Sequence, residues 1–134
     1  MPGSGTYPAL IGFDDQGREV LTYIPGESGR AAWTKVIEVA GLVAMGRLLR
    51  TYHDVVADYR PAGVAAGEVM CHGDFGPWNL VRHGVRPVGI LDWDEARPAR
   101  PVFDLAYALE YVVPFRDDDT CRRWLAYPAP PDRR

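Results

Sequence analysis

The feature that most constrains the fold of this chain is the polar turn CHGDFGPWNL, residues 71–80, which separates two apolar stretches. Its pair Gly76-Pro77 is typical of a tight and stiff turn. The segment NLVRHGVRPVGILDW then has the pattern of a β-hairpin, with strands at 79–82 and 86–91 joined at His83-Gly84. The chain must therefore fold around a stiff polar loop that leads directly into a hairpin.

A hairpin at this place predicts that three polar side chains converge. Because a hairpin returns the chain to the point where it left, we expect Asp92, directly after the second strand, to lie near Asp74 and Asn79. Two carboxylates and an amide oxygen are hard oxygen donors that suit Mg²⁺, and the carboxylates would repel each other without a cation between them. The sequence therefore predicts a Mg²⁺ site here. The plainer alternative is that these residues only stabilise turns, as Asp and Asn commonly do.

The rest of the chain predicts a mixed α+β domain. Its 134 residues fit a single domain over 9–127, between a flexible N-terminus at 1–8 and a flexible tail at 128–134. The other predicted elements are a β-hairpin at 9–13 and 18–24, a helix from 31 to about 56 that Gly41 and Gly46 weaken, a strand at 68–70, a loop at 94–101, a helix at 102–113, and a short last helix after Pro114.

Composition bounds the partners and the location of the chain. A formal net charge of −3 does not predict nucleic-acid binding. No apolar run reaches the length of a membrane span, and the N-terminus lacks the pattern of a signal peptide. The two cysteines do not form a disulfide framework, and their spacing with the three histidines matches no zinc signature. We therefore expect a cytoplasmic protein without nucleic-acid or membrane partners.

Three motifs in chain order resemble the aminoglycoside phosphotransferase and choline kinase family. They are HGDFGPWN at 72–79, GILDWDEA at 89–96 and FDLAYAL at 103–109. The first has the His-x-Asp start and the five-residue step from Asp to Asn that protein kinases also share. The resemblance implies a protein-kinase-like fold and the use of ATP and Mg²⁺ to phosphorylate a hydroxyl group of a small molecule.

The resemblance also implies how the chain is divided. Residues 31–127 would form the core of a protein-kinase-like C-terminal lobe, with several helices and a metal loop carried on a hairpin. Residues 9–24 would be the last hairpin of the N-terminal lobe and residues 25–30 the linker between the lobes, because YIPGE at 23–27 resembles the linking segment of the family. Thr22, Tyr23 and Ile24 would then meet the adenine ring through their backbone.

The family pattern assigns roles to individual residues of the polar turn and its surroundings. Asp74 would be the catalytic base for the acceptor hydroxyl, while Asn79 and Asp92 would hold Mg²⁺ against the phosphates. His72 and Gly73 would support the shape of the loop. Two further residues would also support the site: Asp104, by accepting hydrogen bonds from backbone N–H groups of the catalytic loop, and Asp94, which follows the metal-binding Asp by two positions.

The chain departs from the family pattern at both ends. The family's N-terminal lobe supplies a Gly-rich phosphate loop and a lysine, but Gly3-Ser4-Gly5 lacks the third glycine of that motif, and the single lysine, Lys35, follows the linker. The helices that usually complete the acceptor pocket are also cut short. We therefore expect weak ATP binding, little or no turnover by this chain alone, and self-association through the exposed truncated surface.

Two other function classes stay open. The first is a non-catalytic module of the same fold that binds a nucleotide or a partner. The second is a metal-dependent phosphoester hydrolase, which would need further histidine ligands that the sequence lacks. The acceptor itself is not predicted.

Overall fold

The computed structural model describes residues 7–29, 38–112 and Asp119. The elements, numbered in chain order, are β1 (Leu10–Phe13), β2 (Glu19–Leu21), α1 (Val39–Val56), β3 (Val69–Cys71), a 3-10 turn (Pro77–Asn79), β4 (Leu80–His83), β5 (Arg86–Ile90), β6 (Arg97–Ala99) and α2 (Val102–Val112). The α+β class predicted from the sequence is confirmed. Two predicted segments, the start of the first helix at 31–37 and the last helix after Pro114, lie outside the described residues except for Asp119.

The first hairpin forms where the turn chemistry predicted it. Strands β1 and β2 pair antiparallel, and Oδ1 of Asp14 accepts hydrogen bonds from the backbone N–H groups of Gln16 and Arg18, each at 2.9 Å. Gly17 has a φ of 77°, a backbone conformation that residues with a Cβ rarely adopt. The second strand ends at Leu21 rather than at residue 24.

Helix α1 is continuous, because its buried face outweighs the low helix propensity of its glycines. Residues at a spacing of four lie on one face of a helix, and here they are Gly41, Met45, Leu49 and His53, all buried. Neither of the two glycines breaks the helix.

The predicted loop at 94–101 is wrong in part. Its residues Arg97–Ala99 form β6, which pairs antiparallel with β3 and places Met70 opposite Pro98. Proline has no backbone N–H to donate and is therefore confined to edge strands, so Pro98 argues against a strand when only the local sequence is considered. The strand forms because of its long-range pairing with β3.

The hairpin of β4 and β5 and the helix α2 enclose the core together with α1. The hairpin and the helix begin and end within about one residue of their predicted bounds. The buried apolar cluster contains Met45, Leu49, Phe75, Leu80, Ile90, Ala108 and Val112. Since Phe75 belongs to the polar turn, the core itself fixes the position of that turn. Within the part of the chain that the structure describes, none of the helices combines the length and apolar character needed to cross a membrane.

Candidate functional site

The polar turn is attached to α2 through one carboxylate. Asp104, whose side chain is fully buried, accepts hydrogen bonds from the backbone N–H of His72 at 2.9 Å and of Gly73 at 3.0 Å. Two parallel N–H donors on one ionised carboxylate hold the start of the turn in a single orientation. The contact that the family pattern implied for Asp104 is therefore present in the geometry.

His53 joins this carboxylate from α1, and the sequence reasoning did not single it out. Its Nε2 donates to Oδ2 of Asp104 at 2.9 Å. Burial by itself would raise the pKa of Asp104, but the hydrogen bonds from His53, Gly73 and His72 outweigh burial and lower that pKa below its usual value. The sequence did contain a signal for His53: it continues the buried stripe of Gly41, Met45 and Leu49 at the same spacing of four. A buried imidazole needs a hydrogen-bond partner.

The ring of His72 ties the turn to the end of β5. Its Nδ1 accepts a hydrogen bond from the backbone N–H of Asp74 at 3.2 Å, so its Nε2 must carry the proton that is donated to the carbonyl of Leu91 at 2.9 Å. The ring also packs against Trp93, with 4.7 Å between ring centroids. His72 is thus a neutral bridge between Asp74 and the residue that precedes Asp92.

Gly73 is required by both its conformation and its surroundings. Its φ is 88°, and an added Cβ would lie 2.0 Å from the carbonyl oxygen of Glu95. The turn can approach the segment after Asp92 this closely only without a side chain at this position.

The carboxylate of Asp74 is held asymmetrically. Nδ2 of Asn79 donates to Oδ2 of Asp74 at 2.8 Å and to the backbone carbonyl of the same residue at 3.0 Å. Nε1 of Trp78 donates to Oδ2 as well, at 3.2 Å. Oδ1 of Asp74 is buried and has no hydrogen-bond partner within the described chain. A buried carboxylate oxygen without a donor is unusual and leaves room for an incoming donor or cation.

Asp92 lies just after the hairpin, two residues beyond Ile90, the last residue of β5. Leu80 pairs with Ile90, and the N–H of Leu91 donates to the carbonyl of Asn79 at 2.8 Å. The ladder therefore brings the backbone of Leu91, the residue before Asp92, to Asn79, and the predicted approach of the Asp92 carboxylate stays a prediction. Asp92 is exposed and has a φ of 61°, a left-handed conformation that Asp tolerates better than most residues and that often marks functional positions.

These donors fit a hard cation. Both protons of the Asn79 amide are used on Asp74, so its Oδ1 is the atom that Asn79 can offer to a metal. Together with the unpartnered oxygen of Asp74 and the exposed carboxylate of Asp92, which follows Leu91, the candidate ligands are all oxygen atoms, as Mg²⁺ prefers. Asp94 is exposed, and its supporting role stays a prediction.

The linker residues lie against the outer strand of the same hairpin. The backbones of Glu27 and Arg82 exchange two hydrogen bonds of 2.8 and 2.9 Å, and the N–H of Gly29 donates to the carbonyl of Trp78 at 3.1 Å. Gly26 fits here because an added Cβ would lie 2.8 Å from the carbonyl oxygen of Arg82. The linker is thus fixed beside the polar turn.

The three residues expected to meet adenine precede this contact. Oγ1 of Thr22 accepts from the N–H of Ala9 at 2.8 Å, the side chain of Tyr23 is 82% exposed, and Ile24 is half-buried. Their role in nucleotide binding stays a prediction.

One buried cluster has the residue types of a metal site, but its donor atoms already have hydrogen-bond partners in the protein. His53, Cys71 and Asp104 bring their donor atoms within 4.8 Å of one another. Burial raises the pKa of Cys71 to about 12, so the thiol stays protonated, and it lies within hydrogen-bonding distance of the carbonyls of Ala99 and Arg100. Each of the three donors thus has a partner within the described part of the chain, and the cluster supports the turn.

An apolar cavity of about 710 Å³ lies along α1. Its lining includes Leu48, Tyr52, Val55, Met70 and Trp93. It contains none of the residues predicted to carry chemistry, so it is separate from the candidate site.

Comparison with known proteins matches the same region. Residues 56–132, more than half of the chain, match the model of the phosphotransferase enzyme family. The chain is 34% identical over 136 aligned positions to the trifolitoxin immunity protein of Rhizobium leguminosarum bv. trifolii, a match that covers 90% of this chain and 51% of that protein.

A solved structure, the GDP complex of wild-type aminoglycoside 2'-phosphotransferase-IIIa, superposes with a TM-score of 0.41 at 15% identity. The superposition covers 78% of this chain and 55% of that one. A TM-score this low does not by itself establish a shared fold. The chain spans about half the length of these relatives.

Proposed function

The chain belongs to the phosphotransferase enzyme family, and on that premise we propose that it carries the acceptor-activating and metal-binding part of an ATP- and Mg²⁺-dependent kinase of small-molecule hydroxyl groups. The observation that supports this most directly is the Asp74 carboxylate. One of its oxygens is occupied by two side-chain donors, and the other is buried without a partner in the described chain. That arrangement suits a base that awaits the proton of an acceptor hydroxyl.

The proposed roles follow from what each side chain has left to offer. Asp74 would accept or orient the hydroxyl proton through Oδ1. Asn79, through its amide oxygen, and Asp92 would hold Mg²⁺, which when bound neutralises the charge of the nucleotide phosphates. Asp104, His53 and the neutral ring of His72 hold the turn in place, so that Asp74 keeps its position.

A second candidate, a non-catalytic module that binds a nucleotide or a partner, is supported by the first hairpin. Its large apolar side chains Leu10, Ile11 and Phe13 are each more than half exposed. Large exposed apolar side chains close together in one hairpin are typical of a site that another chain covers, including a second copy of the same chain.

One set of measurements separates the two candidates. Calorimetric titration with ATP in the presence and absence of MgCl₂ measures nucleotide binding, an ADP-release assay with hydroxyl-bearing acceptors measures turnover, and sedimentation measures the oligomeric state. For the kinase, Asp74→Asn should keep Mg²⁺-dependent ATP binding and lose roughly 10²- to 10⁴-fold in rate. Asp58→Asn, an exposed carboxylate change away from the turn, is the matched control.

Absence of Mg²⁺-dependent ATP binding would contradict the kinase proposal. ATP binding that does not depend on Mg²⁺, together with a concentration-dependent dimer, would favour the non-catalytic module instead.

A further inference from the structure

The indole of Trp78 lies directly on the side of the Asp74 carboxylate that the acceptor would not use. Its Nε1–H reaches Oδ2 at 3.2 Å, while Nδ2 of Asn79 reaches the same oxygen at 2.8 Å. The other oxygen, Oδ1, is buried and has no donor in the described part of the chain. Two donors therefore converge on one oxygen and leave the second one for a ligand.

The turn is built to hold the indole in this place. An added Cβ at Gly76 would lie between 2.3 and 2.6 Å from atoms of the Trp78 ring, so the ring can fold back over the turn only because residue 76 is glycine. The buried Pro77 opens the 3-10 turn that carries Trp78. On its other side, the ring packs edge-on against Tyr111 at 4.7 Å between centroids. The indole is thus fixed by packing before any ligand arrives.

A single donor would not fix the carboxylate. The terminal torsion of an Asp side chain is broad and lacks deep rotamer minima, so one hydrogen bond from Asn79 permits rocking about it. A second donor on the same oxygen, attached to a different and rigid side chain, restricts that rotation. The indole N–H suits this task because it only donates and does not ionise in the physiological range.

We propose that Trp78 is a positioning residue that fixes Oδ2 of Asp74 through its indole N–H, so that Oδ1 is presented to the acceptor hydroxyl. This inference rests on the proposed kinase function, and it adds a third side chain to the pair of Asp74 and Asn79. Tyr107 lies beside the same carboxylate. Burial first, and then a side-chain hydrogen bond with Asp74, raise the pKa of Tyr107, so its hydroxyl stays protonated and is a further donor toward this carboxylate.

The contact itself is tested without any activity. The chain has four tryptophans, Trp33, Trp78, Trp93 and Trp124, and each gives one indole N–H signal in an ¹⁵N-correlated NMR spectrum. The signal that disappears in Trp78→Phe should be the one that moves upfield in Asp74→Asn, with the other three as internal controls. If that signal does not respond to Asp74→Asn, the contact does not exist in solution and the inference is overturned.

The positioning role is tested by kinetics. Trp78→Phe keeps an aromatic side chain but removes the N–H together with the five-membered ring of the indole, so KM for ATP should stay within about twofold while kcat falls about tenfold, as expected for one lost hydrogen bond to a charged group. Trp78→His, which keeps a flat ring with an N–H donor, should recover part of kcat and also serves if the Phe variant unfolds. If the Trp78→Phe variant is folded and has the same kcat as the wild type, the positioning role is overturned and Trp78 only contributes to packing.

Failure of this inference is distinct from failure of the proposed function. A wild-type chain that binds no Mg²⁺-ATP and turns over no acceptor overturns the kinase, and with it the catalytic meaning of Trp78, whatever the NMR spectra show. A competent wild-type chain with an unchanged Trp78→Phe variant overturns only the positioning role.

Discussion

Nε2 of His53 in α1 and Oδ2 of Asp104 in α2 are joined by a 2.9 Å hydrogen bond inside the protein. Because the same carboxylate also binds the backbone N–H groups of His72 and Gly73, two helices and the polar turn meet on one charged group. A buried carboxylate of this kind is expensive to protonate or remove, since its donors would then be left without a partner.

The lowered pKa of Asp104 predicts how stability depends on pH. Its pKa is lower in the folded protein than the value of about 3.9 in an unfolded chain. Asp104 therefore stabilises the fold at pH values above about 3.9, and this contribution is lost as the pH falls through the lower folded pKa. In Asp104→Asn, the free energy of unfolding should be lower at pH 7 and should fall less steeply below pH 4, as measured by urea titrations from pH 7 to pH 3.

The control for this change is Asp58→Asn, because Asp58 is exposed and its replacement should leave the acid dependence as in the wild type. A wild-type acid dependence in Asp104→Asn would mean that the carboxylate is not ionised and bonded as described.

Gly73 should not tolerate a side chain. In Gly73→Ala the new Cβ would have to displace the carbonyl of Glu95 and would occupy a φ of 88°, so we expect a loss of at least about 3 kcal/mol in the free energy of unfolding. Gly84→Ala is the matched comparison, since Gly84 has a φ of 58° but nothing lies within 4 Å of its added Cβ. It should lose roughly 1 kcal/mol. Thermal unfolding of both variants checks this, and equal losses would refute the steric argument.

Arg82 should be replaceable by an apolar residue. Its side chain is fully buried, its Nε and Nη1 have no hydrogen-bond partner in the described residues, and burial lowers its pKa. Only Nη2 has an acceptor there, the carbonyl of Val85. Arg82→Met removes the desolvated charge and keeps most of the volume, so the free energy of unfolding should rise by about 1 kcal/mol or more.

The exposed Arg86 in the next strand offers the control Arg86→Met, which should stay within about 0.5 kcal/mol of the wild type. A destabilised Arg82→Met would show that the guanidinium has an acceptor outside the described residues.

Asp92 separates metal binding from stability. Asn tolerates a φ of 61° nearly as well as Asp, so Asp92→Asn should unfold at the wild-type temperature. If Asp92 holds Mg²⁺, the variant should lose at least about tenfold in Mg²⁺-dependent ATP affinity, measured by calorimetry. Asp92→Val should bind equally poorly and also unfold at a lower temperature, because a β-branched residue is strained in this conformation. Unchanged Mg²⁺-dependent affinity in Asp92→Asn would remove Asp92 from the metal site.

Local patterns predicted the elements that local interactions form. The turn residues Asp14 and Gly17 were enough to predict the first hairpin, and the run of apolar residues was enough to predict α2. The second hairpin also followed from the sequence, and with it the return of the chain at Leu91 to Asn79. The strand β6 did not, because Pro98 argues against a strand unless its edge position is known.

The sequence by itself determined that a stiff polar turn with Asp74 and Asn79 leads into a hairpin ending at Asp92. Only the tertiary structure decided how that turn is held. His53 and Asp104 are 51 positions apart, and the fit of Gly73 against Glu95 depends on how two loops pack. Trp78 contacts Asp74 only because Gly76 lets the ring fold back. These contacts depend on packing in three dimensions, which neither periodicity nor turn chemistry along the chain encodes.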